Sequence, residues 1–216
     1  MKSRPILFNA PMVRALLHGS KTQTRRVAKI KHVEPHPQNP IIKIATMEGV
    51  GKQFWANSQV DHPNHISKAC PYGQVGDQLW VRETTVKVED HGYEGPVYAE
   101  SDYGKACFEF GLSPSEDDVT EVEPEDIKLR PSIFMPRAMS RITLEITSVR
   151  VERLQDITRG DCMAEGCPFP NIAKETDPKG WYSALWASIN GADSWDANPW
   201  VWVIEFKKVT KESAAA

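Results

Sequence analysis

Apolar and polar positions change period several times along the chain, and each change marks an expected element. Residues 5–8 read as a short strand, and residues 10–18 carry Met12, Val13, Leu16 and Leu17 at helical spacing, with Gly19 as a natural stop. Residues 22–27 then favour extended structure. Turn chemistry in Tyr72-Gly73-Gln74-Val75-Gly76-Asp77 introduces a strand over 78–88, with Leu79 and Val81 on one face. Between 141 and 154, Ile142, Leu144, Ile146, Val149 and Val151 alternate with polar residues, as two paired strands or one long bent strand would. Thr158-x-x-Asp161 is a capping-box-like start to a short helix through Ala164. Trp181, Leu185, Trp186 and Ile189 predict a helix over 179–190, and the apolar run 200–206 predicts a central strand. Short strands with a few short helices and no strand–helix alternation predict a mainly β fold with short helices (α+β), and a small closed barrel over a parallel sheet.

Two segments break this rhythm. Residues 34–70 contain Pro35, Pro37, Pro40 and Pro63 and read as long loops around one strand at 41–45. Residues 89–130 read as a second variable region. Within it, 113–126 holds Glu116, Asp117, Asp118, Glu121, Glu123, Glu125 and Asp126 with no basic residue, a solvated mobile loop or a screen for a basic face. The expected organisation is one domain over 1–210 with insertions at 34–70 and 89–130, and a tail at 211–216.

Charge is unevenly distributed. Residues 1–33 contain eight Lys and Arg and no Asp or Glu, whereas the whole chain has net charge −3, so the remainder carries −11. The basic segment culminates in Gly19-Ser20-Lys21-Thr22-Gln23-Thr24-Arg25-Arg26, which points to an anionic or acceptor-rich ligand. Cys70, Cys107, Cys162 and Cys167 form no disulfide framework, and Cys162-x4-Cys167 lacks the second pair a structural zinc site needs. His32, His36, His62 and His65 show no ligand spacing. No metal or cofactor is therefore expected, and without a Gly-rich phosphate loop an NTPase is disfavoured. No apolar run approaches the roughly 20 residues of a membrane span, and a cytoplasmic protein without a membrane partner is expected. Of Arg82 and Glu83, one should face inward; an inward Glu83 is either an acid–base group or half of a structural ion pair. Most of the C-terminal tryptophans fit core positions, while Trp195, in a loop, is a candidate for stacking a base.

These landmarks together resemble the ASCH domain family of the PUA-like superfamily, small β-barrels that commonly bind RNA. The family's Gly-x-Lys-x-x-Thr-x-Arg element stands here as Gly19 to Arg26, its Gly-Asp turn as Gly76-Asp77, and its closing strand as Trp202-Val203-Ile204-Glu205-Phe206. Arg4-Pro5-Ile6-Leu7-Phe8, Gly76-Asp77-Gln78-Leu79-Trp80-Val81-Arg82-Glu83 and Arg130-Pro131-Ser132-Ile133-Phe134-Met135-Pro136 further resemble ASCH-like proteins of bacteriophages and prophages, which implies a bacterial cell or phage-infected host.

One branch of the family hydrolyses N4-acetylcytidine through a Lys, a Thr and a Glu. The resemblance places these on Lys21, Thr24 and, past the Leu154-Gln155-Asp156-Ile157-Thr158 turn, Glu165. It implies Thr24 as nucleophile, Lys21 as base and Glu165 as positioning group, with Arg25 or Arg26 on a phosphate or carbonyl. Glu83 and Trp195 complete the candidate binding set. Three functions stay open: a nucleoside amidohydrolase, a non-catalytic RNA- or nucleotide-binding module, and a ribonuclease. The partner expected in each case is a nucleoside, nucleotide or RNA.

Overall fold

The computed structural model describes residues 1–36, 39–47, 51–56, 70–112, 122–169 and 177–209. The chain is a mixed α/β protein of one five-stranded sheet, two three-stranded sheets and a few short helices. In chain order the elements are β1 (Ser3–Leu7), α1 (Ala10–Leu17), β2 (Gln23–Val27), β3 (Ile30–His36), β4 (Asn39–Met47), β5 (Gly51–Ala56), β6 (Gln78–Arg82), β7 (Thr85–Val86), β8 (Val97–Tyr98), α2 (Asp102–Phe110), β9 (Leu129–Arg130), β10 (Thr143–Arg153), α3 (Arg159–Ala164), α4 (Pro178–Asn190) and β11 (Trp200–Lys208).

The main sheet runs β1-β6-β10-β11-β2. β1 and β6 are parallel, with Pro5 opposite Trp80 and Leu7 opposite Arg82, and the remaining pairs are antiparallel. β11 lies between β10 and β2, and its stretch 201–204 is buried on both faces, which is why that stretch is apolar. Trp202, Ile204 and Phe206 join the core under α1, where Met12, Val13 and Leu16 meet Ile6, Leu79 and Leu144. Val201 and Val203 face the other way, onto Leu154, Ile157, Tyr182 and Trp186 beneath α3 and α4. β10 is one long strand, with a register shift between Ile146 and Ser148. Among the described residues no ladder joins β1 to β2. A side chain spans that gap instead: Arg26 Nη2 donates to the Leu7 carbonyl at 2.8 Å.

Three expectations need correction. The strand expected over 78–88 ends at Arg82; Thr85 and Val86 pair with β8 and β9 in a separate sheet, followed by a 3-10 turn at Val88–His91. The segment read as long loops around one strand at 41–45 has that strand within β4, but β3 and β5 flank it and pair with it antiparallel. Proline does not prevent this, because Pro35 sits beside a register shift in an edge strand and Pro40 near the start of β4. Residues 89–130 hold α2, capped by Ser101, and contribute to a satellite core of Val86, Val88, Val97, Cys107, Leu112 and Val122. Most of the acidic stretch (113–121), His62, His65 and the tail lie outside the described residues.

No helix among the described residues is long and apolar enough to cross a membrane.

Candidate functional site

Lys21 is placed by a turn that closes α1. Gly19 adopts φ +77, and the amides of Ser20 and Lys21 both donate to the Ala15 carbonyl, at 3.0 and 3.2 Å. Thr22 N–H then donates to the Ala164 carbonyl at 2.8 Å, and Lys21 bridges Glu165 as an isolated antiparallel pair. Glu165 is itself the C-cap of α3, a helix that begins with the Thr158/Asp161 capping box read from sequence. The close approach requires Gly166, at φ +95: a Cβ there would lie 2.9 Å from Ala15 Cβ and 3.4 Å from Lys21 Cβ. Gly166→Ala is therefore expected to cost about 1–3 kcal/mol in a urea unfolding titration. An unchanged midpoint would show that the turn yields freely.

The side chains form a buried ion cluster. Lys21 Nζ lies 2.6 Å from Glu165 Oε2 and donates to the Glu165 carbonyl at 2.9 Å, with both side chains enclosed. Arg25 Nη1 stands 3.6 Å from Glu165 Oε1, and its Nη2 is 3.3 Å from both Glu152 and Asp161. Tyr182 donates its phenol to Glu165 Oε1 at 3.4 Å. Burial pushes the Lys21 ammonium below the usual lysine range; the adjacent Glu165 opposes this, and Arg26 and Arg25 reinforce it. Burial likewise raises the Tyr182 phenol, with the Glu165 charge adding to the shift, so it remains a donor. Asp161 sits below its ordinary value: burial would raise it, but the Thr158 hydroxyl and amide and Arg25 together prevail.

Strand alternation sends Thr24 and Arg26 to the face opposite Arg25. There Arg26 Nη1 donates to Thr24 Oγ1 at 3.1 Å, and Thr24 is fully buried. The Phe8 ring gathers both cations: Lys21 Nζ lies 5.6 Å and Arg26 Cζ 5.3 Å from its centre.

A cavity of about 490 Å³ opens between the β1 and β2 edges and α4, a size typical of small-molecule sites. Its polar wall is the buried Arg25, Glu165 and Tyr182 with the half-buried Arg26, whereas its exposed apolar members, Leu7, Val27 and Ile189, mark the mouth. Among the described residues, Arg25 Nε and Nη1 and Trp186 Nε1, all in residues of this wall, have no hydrogen-bond acceptor. An acceptor-rich ligand suits that composition.

Lys21, Glu165 and Arg25 are thus brought together, and Thr24 with Arg26 stands beside them. Glu83 is elsewhere: it is buried and held bidentately by Arg141, at 2.9 and 2.8 Å, which is the ion-pair alternative read from sequence. Trp195 packs edge-on against Tyr182 with ring centres 6.4 Å apart and does not line the cavity. Sequence reasoning missed Tyr182, whose i, i+4 spacing to the core position Trp186 was its only signal, and it read Asp161 as a cap alone. Glu152, a polar position in the alternation of β10, was not singled out. All four cysteines are free and buried, and among the described residues no cluster of three or more His, Cys, Asp or Glu could hold a metal ion. Comparison with protein-family models, with curated proteins and with solved structures finds no match to this chain.

Proposed function

We propose that the protein is an ASCH-type, PUA-like chain that binds a modified nucleoside in this cavity and hydrolyses its N-acyl group, with N4-acetylcytidine as the reference substrate. The barrel this implies is an incomplete one, whose β1/β2 seam is spanned by Arg26 and occupied by the ligand. The observation that carries the reading is the buried Lys21–Glu165 pair, whose Glu165 lines a nucleoside-sized cavity with Lys21 enclosed behind it. The pair supplies an amine of lowered proton affinity next to a carboxylate, a combination suited to proton transfer.

In the reaction Thr24 Oγ1 attacks the acyl carbon while its proton passes to the neutral Lys21 amine. Arg26 swings from Thr24 onto the carbonyl oxygen and meets the developing negative charge. Collapse of the tetrahedral adduct breaks the carbon–nitrogen bond, and the exocyclic nitrogen takes the proton from Lys21. Water then hydrolyses the acyl-threonine, giving cytidine and the carboxylic acid in total. Glu165 holds the amine in place throughout.

The test is acetate release from N4-acetylcytidine as a function of pH. The wild-type rate should rise with pH through a midpoint below the lysine reference value of 10.5, because the amine acts when deprotonated. Glu165→Gln removes the carboxylate that raises the Lys21 pKa, so its midpoint should move to lower pH, with reduced rate. A midpoint that moves upward, or does not move, would exclude Lys21 as the base.

A second reading, ligand binding without turnover, is favoured by one observation: neither Lys21 nor Thr24 is part of the cavity wall, and both are fully enclosed. In that case Arg26 and Arg25 hold the ligand and acetate release is absent at every pH.

A further inference from the structure

The antiparallel neighbours β6 and β10 are joined through residues 83–142. A hairpin between such strands needs only about two to five residues, so their pairing does not explain the insertion. The chain leaves the sheet at Arg82 and returns at Ile142, whose carbonyl accepts the Val81 amide at 3.0 Å. At this base Ser140 Oγ donates to the Val81 carbonyl at 2.9 Å. The Glu83–Arg141 pair closes it, with the Arg141 guanidinium carbon 4.0 Å from the Tyr98 ring centre. Arg14 of α1 also pairs with Glu100. The inserted unit, which has its own satellite core, is thus fixed against the main sheet and α1.

This unit supplies two residues of the cavity wall, Thr84 and Ser132, both half-buried. Their backbones are held. The Thr84 carbonyl accepts from the Ala99 amide at 3.1 Å, and Ser132 sits in a 3-10 turn pinned by Arg82 Nε on the Met135 carbonyl at 3.0 Å. Their hydroxyls are not held. Among the described residues neither takes part in a hydrogen bond, whereas the adjacent Thr85 hydroxyl accepts from Arg130 at 3.2 Å. The two asparagines of the wall serve their own helices: Asn9 Oδ1 accepts the Met12 amide at 3.1 Å, and Asn190 Nδ2 donates to the Trp186 carbonyl at 3.1 Å. Thr84 and Ser132 are therefore positioned hydroxyls that folding leaves unengaged.

A hydroxyl both donates and accepts and carries no charge, so another hydroxyl matches it well. A phosphate would call for a cation, and the arginines of the wall, Arg25 and Arg26, stand on β2 and not in this unit. We propose that Thr84 and Ser132 are specificity-determining residues that hold the sugar hydroxyls of the substrate, so that the inserted unit selects a nucleoside over the free base. The proposal rests on the nucleoside reading above, in which the acylated base lies against Glu165.

The experiment compares N4-acetylcytidine with N4-acetylcytosine as substrates, and cytidine with cytosine as ligands in titration calorimetry, for wild type, Thr84→Val and Ser132→Ala. Wild type should favour the nucleoside of each pair by roughly tenfold or more, the worth of two hydrogen bonds. Each substitution should cut that preference by roughly three- to tenfold, through a higher KM with kcat retained. A merely structural role would instead lower the melting temperature and weaken nucleoside and base alike.

Equal use of nucleoside and base by wild type, or a preference that survives both substitutions, would overturn the proposal. So would failure of wild type to bind either ligand. A calorimetric preference for cytidine that the substitutions reduce, without any acetate release, supports the inserted wall while counting against the amidohydrolase. Acetate release at equal rates from nucleoside and free base does the reverse.

Discussion

Arg25→Ala is expected to lower the unfolding free energy by about 3–5 kcal/mol, the penalty for leaving buried charges uncompensated. Arg25 is fully enclosed and stands within ion-pair distance of Glu152, Asp161 and Glu165, which come from β10, α3 and the end of α3. Removing it leaves three carboxylates facing one another, with Lys21 and Arg150 as the remaining nearby cations. Arg25→Lys should fall between, because a point charge cannot serve all three carboxylates as the planar guanidinium does. Denaturant titration measures both. If Arg25→Ala loses less than about 1 kcal/mol, the pairs behave as ordinary surface salt bridges and the cluster does not hold α3 to β2.

Lys21→Ala should reduce acetate release by at least about a hundredfold, and up to 10⁴-fold, the range for losing a general base. The fold should survive, since Glu165 keeps Arg25 and Tyr182 as partners. Lys21→Arg makes the test sharper. It retains a cation beside Glu165 but cannot deprotonate at accessible pH, so it should be as inactive as the alanine variant. Substantial activity in Lys21→Arg would mean that position 21 contributes charge and not proton transfer. Because burial lowers the Lys21 pKa on folding, the unfolded chain binds the extra proton between the folded and unfolded values. This group's contribution to stability therefore rises with pH across that window, and the Lys21 variants should lose that component.

Much of the framework was legible because its signals are local. The Met12, Val13 and Leu16 face of α1, the Thr158/Asp161 capping box and the doubly covered β11 each follow from spacing within a few residues. The site was legible only in part. Composition drew attention to 19–26, but nothing local indicates that Lys21 meets a residue 144 positions away; that expectation came through the resemblance to the ASCH turn. Arg25 read as a ligand-binding cation, and its second part, as the hub of three carboxylates, was not legible because those partners lie 127 and more positions downstream. Tyr182 was hidden among tryptophans, as its helical spacing serves packing and function equally. Proline density concealed β3, because the edge position and register shift that tolerate it are set by pairing, which one strand's sequence does not reveal; β4 alone of the three was foreseen, at 41–45.

The central claim is tested most directly by chromatography of N4-acetylcytidine incubated in at least tenfold excess over wild-type protein. The account predicts cytidine and acetate appearing in equal amounts, beyond one equivalent of enzyme, with Lys21→Ala leaving the nucleoside intact. Full recovery of N4-acetylcytidine after prolonged incubation with folded wild type would contradict it.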